Sequence, residues 1–283
     1  MSAQDQLDVL LDGLTFAEAP RWRDGKLWFS DFYSHRVMCV GLDGRAETIV
    51  EVPQQPSGLG WRPDGTMLIV SMRDRRLLRL DGTTLRLVAD LSTLAGGYCN
   101  DMVVDAAGRA YVGNFGFDRH AGEAPRTTVL ARVDPDGRTT VATGGLMFPN
   151  GTVITPDGKT MIIAETYAQR LTAFDIGPDG TLGNRRVFAA LDGVFPDGIC
   201  LDAEGAVWVA DARAPHVLRV VEGGRIARTI ATGDRRTYAC MLGGSDRRTL
   251  FICTNTNSGP DMADKRDGRI ETVRVDVPGA GLP

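Results

Sequence analysis

A strand-turn-strand unit recurs along the chain, and repetition at a fixed interval restricts the possible fold more than any local pattern does. The unit opens on a short apolar strand, turns at Asp-Gly or a close variant, and returns on a second strand. It reads EAPRWRDGKLWFSDF from Glu18, SGLGWRPDGTMLIVSM from Ser57, NDMVVDAAGRAYVGNF from Asn100, NGTVITPDGKTMIIAET from Asn150 and DGICLDAEGAVWVADA from Asp197. A degenerate sixth copy, CMLGGSDRRTLFICTN, begins at Cys240. The turn glycines Gly25, Gly65, Gly108, Gly158 and Gly205 follow one another at 40, 43, 50 and 47 residues. That is the interval of a propeller blade. Asp bonds its own backbone in such turns and Gly supplies the positive φ. A third strand-like stretch (HRVMCVGLDG in the first copy) and a shorter fourth (AETIVEV) complete each unit. A sandwich or an up-and-down barrel would not repeat a four-strand unit six times. The expected fold is therefore all-β, one six-bladed propeller over residues 1–283 with four antiparallel strands per blade. The opening LDVLLDGL is expected to supply the outer strand of blade six, because an unclosed ring leaves strand edges exposed.

In a propeller the first strand of each blade lines the central channel, so the residues at its start meet at one mouth. The equivalent positions hold Glu18, Ser57 or Gly58, Asn100 with Asp101, Asn150, Asp197, and a neutral residue near Cys240. FPNG at Phe148 to Gly151 and FPDG at Phe195 to Gly198 place Asn150 and Asp197 in the same local frame. Turn capping explains each polar side chain alone but not their convergence. Carboxylates crowded together without a partner are costly, and a cation relieves the repulsion. Oxygen-only donors select a hard divalent ion. Ca²⁺ is expected first, with Zn²⁺, Mg²⁺, Mn²⁺ or Fe²⁺ also compatible. The second strand returns to the same mouth, so its end is expected to add an outer shell of Asp31, Arg73, Asn114, Glu165, Asp211 and Asn255. Tyr98, Phe115, Phe148 and Phe195 would form apolar walls.

An ion held by few protein ligands leaves room for water and substrate, and polarises a carbonyl. Asp197 is the expected general base, with Asn100 and Asn114 holding water or substrate hydroxyls. Other plans find no support. His35, His120 and His216 form no metal-binding spacing, and neither a GxSxG elbow nor a glycine-rich phosphate loop occurs. His120 lies in FDRHAGEAPR, read as a surface loop, within a rim segment spanning 115–126. With 32 basic and 36 acidic residues, a net charge of -4 offers no face to nucleic acid. The acidic N-terminus is no signal peptide, no apolar run is long enough to enter a membrane, and five scattered cysteines read as free buried thiols. A cytoplasmic protein is expected; its oligomeric state is left open.

The motifs EAPRW at Glu18, CNDMVVDAAGR at Cys99, FPNGTVITPDGKTMIIAET at Phe148 and FPDGICLDAEGAVWVAD at Phe195 make the chain resemble the SMP-30/gluconolactonase/luciferin-regenerating-enzyme family over its whole length. The resemblance implies a six-bladed propeller with one divalent metal ion held by Glu18, Asn150 and Asp197. It also implies Asp197 as general base and Asn100 as a contact to substrate or a metal-bound water. Regucalcin-like members often carry an arginine where this chain has Tyr98, here expected to touch substrate. The resemblance thus implies a metal-dependent lactonase acting on a small-molecule sugar lactone or other cyclic ester. A non-catalytic propeller binding an ion or a partner, and a phosphotriester hydrolase, are the alternatives.

Overall fold

The computed structural model describes residues 6–119 and 121–281. Six four-stranded antiparallel sheets form a six-bladed β-propeller. The innermost strands are Ala17–Arg23, Pro56–Trp61, Cys99–Val104, Pro149–Ile154, Pro196–Leu201 and Arg236–Gly243. Each packs against the next, and the sixth returns to the first. The five Asp-Gly-type turns fall between the first and second strands of blades one to five, and their glycines all have φ between 70° and 85°. The third and fourth strands follow in chain order, except in blade six.

Burial explains the hydrophobic pattern. The second strands Met67–Ser71, Ala110–Asn114 and Val207–Asp211 are buried at every position, so they read as continuous apolar runs rather than as alternation. The outer strand Ala46–Glu51 is mostly exposed and is correspondingly polar. The five cysteines are free and buried. The His120 reading lies outside the described residues.

Blade six is closed by the beginning of the chain. Asp8–Leu14 pairs antiparallel with Gly268–Arg274, the last strand, and Leu10 and Leu11 pack against the core between blades six and one. Deleting residues 1–14 uncovers the edge of Gly268–Arg274 as well as that apolar surface. The truncated chain is expected to lose roughly 3 kcal/mol of stability, on the scale of two part-buried leucines, read by urea unfolding with circular dichroism.

Candidate metal centre and active site

Every innermost strand is bulged at its start. Pairing with the second strand shifts register between Glu18 and Arg21, Pro56 and Leu59, Cys99 and Met102, Pro149 and Thr152, Pro196 and Ile199, and Thr237 and Ala239. In blade four, for example, Pro149 faces Glu165 and Thr152 faces Ile163, so the inner strand carries one extra residue. A bulge of this kind re-aims side chains. Asn100, Asn150, Asp197 and Tyr238 fall inside these bulges and Glu18 at the edge of its own. All five line one cavity of about 450 Å³.

The glycines that follow Asn150 and Asp197 serve close packing rather than turns. A Cβ on Gly151 would lie 2.5 Å from the Ile199 nitrogen and 2.6 Å from the Asp197 carbonyl oxygen, and one on Gly198 would lie 2.5 Å from Ala239 Cβ. Adjacent inner strands thus approach closely where the polar residues turn inward. Gly151→Ala must push the Asp197 bulge aside. It is expected to cost about 2–3 kcal/mol and to weaken divalent-ion binding at least tenfold, checked by thermal unfolding and by calorimetry.

Hydrogen bonds tie the polar group together. Asn100 Nδ2 donates to Asn150 Oδ1 at 2.9 Å, and Ser57 Oγ donates to Asn100 Oδ1 at 3.2 Å. Asn150 Nδ2 donates to Thr166 Oγ1 at 3.2 Å, and the Asn150 amide also serves the Asp197 carboxylate. Burial, and then the Asp197 charge, push the Glu18 carboxyl well above the usual carboxylate range. Burial likewise pushes Asp197 up to about 8, against the pull of Arg119 and of the Asn150 amide. Glu18 accepts the Ala19 N–H at 3.1 Å, while Arg21, the cation that bears on it, is committed to Asp101 at 2.9 Å. Two acids without an ion pair among the described residues, flanked by amide oxygens, form a donor set that fits a hard divalent ion. Among the described residues no third His, Cys, Asp or Glu joins them, so any further side-chain ligand would be an amide.

Other expected residues stand elsewhere. Asn100 faces the cavity, whereas its neighbour Asp101 turns to Arg21. The Asn114 amide is engaged by its own blade and the loop that enters it: Oδ1 accepts from Gly96 N, Gly116 N and Thr128 Oγ1, and Nδ2 donates to the Val129 carbonyl oxygen at 2.8 Å. Buried among these partners, it does not line the cavity. The same device recurs at other second-strand ends. Asp31 accepts Phe16 N at 2.8 Å, Glu165 accepts Met147 N at 2.8 Å and Asp211 accepts Phe195 N at 3.2 Å. Each side chain turns back to hold the loop that enters its own inner strand, which corrects their placement as an outer shell of the pocket. In blade two the strand ends at Ser71, and Arg73 instead donates to Gln55 Oε1 at 2.9 Å.

The cavity wall comes from the next one or two residues in this register: Tyr33, Met72, Phe115, Tyr167 and Arg213. The offset was present in the repeat and is the signal that would have found them. Phe115, Phe148 and Phe195 line the wall as expected, Phe115 stacked on Phe148 at 4.5 Å between ring centroids. Tyr98 stands behind Phe115, 6.2 Å away between centroids, in an adjoining cleft. It supports the wall from outside the central cavity. The neutral sixth position is Tyr238, since the blade-six strand starts at Arg236 and Cys240 is buried with its Sγ 3.9 Å from Cys200.

Residues 16–256 match the family model described as the SMP-30/Gluconolactonase/LRE-like region. A 6-deoxy-6-sulfogluconolactonase of Pseudomonas putida is 30% identical over 94% of this chain and 93% of its own length. A pentonolactonase of Haloferax volcanii is 24% identical over 94% and 92%. The crystal structure of regucalcin from Agrobacterium tumefaciens, described as a calcium-binding protein, superimposes with a TM-score of 0.84 at 23% identity, covering 99% of this chain and 97% of that one.

Proposed function

The chain belongs to the SMP-30/gluconolactonase/LRE-like family, and on that premise we propose that it is a metal-dependent hydrolase that opens a sugar lactone or a similar small cyclic ester. The observation that carries the proposal is the meeting of Glu18, Asn100, Asn150 and Asp197, from four of the six blades, in one cavity. The lactonase names of its relatives support the substrate class.

Glu18, Asn150 and Asp197 would hold the ion, Ca²⁺ in the first instance given the oxygen donors. Bound there, a divalent ion supplies Lewis-acid polarisation of the ester carbonyl and offsets the charge that develops on its oxygen. Asp197 would take the proton of the attacking water and return it to the ring oxygen as the ring C–O bond breaks, leaving the hydroxy acid. Asn100, fixed between Ser57 and Asn150, orients that water or a ring hydroxyl. The stacked Phe115 and Phe148 close one side against bulk water.

The test is a panel of aldonolactones and aliphatic lactones, followed with a pH indicator after chelation and after return of each divalent ion separately. Acid release is expected to cease on chelation and to return with the ion. Hydrolysis that continues undiminished in metal-free protein would sink the metal dependence, and no hydrolysis with any ion would leave an ion-binding propeller without this chemistry.

A further inference from the structure

Resting on the lactonase reading of the same cavity, we infer that its mouth selects lactones bearing a second, anionic substituent: a carboxylate, sulfonate or phosphate group distant from the attacked carbonyl. Three guanidiniums, those of Arg119, Arg213 and Arg236, line the cavity. They come from three separate segments: the stretch after the second strand of blade three, that after the second strand of blade five, and the start of the inner strand of blade six.

Their described partners are neutral. Arg119 Nη2 donates to Ser258 Oγ and Arg236 Nη1 to Asn257 Oδ1, each at 3.3 Å. Arg213 lies over the Phe195 ring at 3.8 Å and 6.0 Å from the Tyr167 ring, which holds its planar fork in place from one face. Many arginines elsewhere in the ring are tied to acids, as Arg21 is to Asp101, Arg170 to Glu165 and Arg219 to Asp202. Asp261, the acid at the same mouth, is taken by Lys265 at 2.9 Å. Arg119 bears electrostatically on Asp197 without an ion pair among the described contacts.

The charge balance follows directly. A divalent ion cancels Glu18 and Asp197, and the three guanidiniums then remain uncompensated. A neutral lactone offers them hydroxyl oxygens but no charge. An oxyanion on the substrate matches the guanidinium fork and is drawn to the mouth before contact. The substrate class is thus a lactone whose opened product carries at least two negative charges.

The experiment compares gluconolactone with counterparts bearing a terminal phosphate, sulfonate or carboxylate. Values of kcat/KM at low ionic strength are expected to favour the anionic lactones by about tenfold or more, with the gap shrinking as salt is raised. The double variant R213Q/R236Q is expected to lower kcat/KM for the anionic lactones about tenfold more than for gluconolactone. Calorimetry provides a readout without turnover: the open-chain phosphorylated or sulfonated acid should bind wild type more tightly than gluconate does, and lose that advantage in the double variant. The order among the three anions shows which group the mouth fits best. Equal kcat/KM for neutral and anionic lactones, with both lowered alike by the variant, overturns the inference while leaving the lactonase reading standing. No hydrolysis of any lactone by the ion-loaded protein overturns the lactonase reading, and this inference with it.

Discussion

Asp197→Asn is expected to lower kcat/KM by about a thousandfold while raising the stability of the metal-free protein. The two halves of the expectation have one cause. Asp197 is buried near a second acid, Glu18, and burial together with neighbouring acids, Asp101 and Asp211 among them, makes its ionised form unfavourable without a cation. Asparagine has nearly the same shape and keeps one oxygen for an ion, but it cannot accept the proton of an attacking water, a role worth 10²–10⁴-fold on the usual scale of general-base catalysis, hence about a thousandfold here. It also removes the cost of taking up a proton on folding, which should stabilise the empty protein by on the order of 2 kcal/mol or more at neutral pH. Lactone turnover by the ion-loaded variant, ion binding by calorimetry and thermal unfolding after chelation measure the three quantities. Turnover at the wild-type rate would show that another group accepts the proton. Lower activity accompanied by lower metal-free stability would show that Asp197 acts mainly as a structural residue.

The architecture was legible in the sequence because the turns repeat: Gly25, Gly65, Gly108, Gly158 and Gly205 all stand at positive φ between a channel strand and its partner. The polar convergence was legible for the same reason, since equivalent registers of equivalent strands must meet at the mouth. The local device, however, was not visible. One extra residue on the inner strand at each bulge leaves no trace in hydrophobic pattern, and the glycine of NG and DG looks like a turn signal although at Gly151 and Gly198 it admits a neighbouring strand. The second-strand ends were misplaced because polarity at a strand end looks the same whether a side chain faces a cavity or caps a loop. Asn114 and Glu165 do the latter. Blade six lacks the Asp-Gly turn, so its register was read from Cys240 rather than from Arg236. The arginines at the mouth lie outside the aligned strand cores, where periodicity carries no information.

Proton linkage at the same acids should make the stabilising effect of a divalent ion depend steeply on pH. In the unfolded chain Asp197 titrates near 3.8 and Glu18 near 4.5, while folding raises Asp197 to about 8 and Glu18 well above its ordinary value. Between those limits the folded state binds more protons than the unfolded one, so these groups lower stability progressively as pH rises from about 4 towards 8. Below about pH 4 both states are protonated and the penalty vanishes. A divalent ion binds the deprotonated pair and releases its protons, and at a hundred times its Kd it returns about 2.7 kcal/mol. Carboxyls such as Glu165, held low despite burial by Arg170 and Thr172, pull the whole-protein profile the other way. The contribution of the centre is therefore read as the difference between unfolding temperatures with and without Ca²⁺ across the pH series. That difference should be near zero at about pH 4, grow towards pH 8, and depend less steeply on pH in Asp197→Asn, where Glu18 alone of the pair still releases a proton. An increment that stays constant with pH would place the ion away from Glu18 and Asp197, since no other described acids combine raised proton affinity with a position in this cavity.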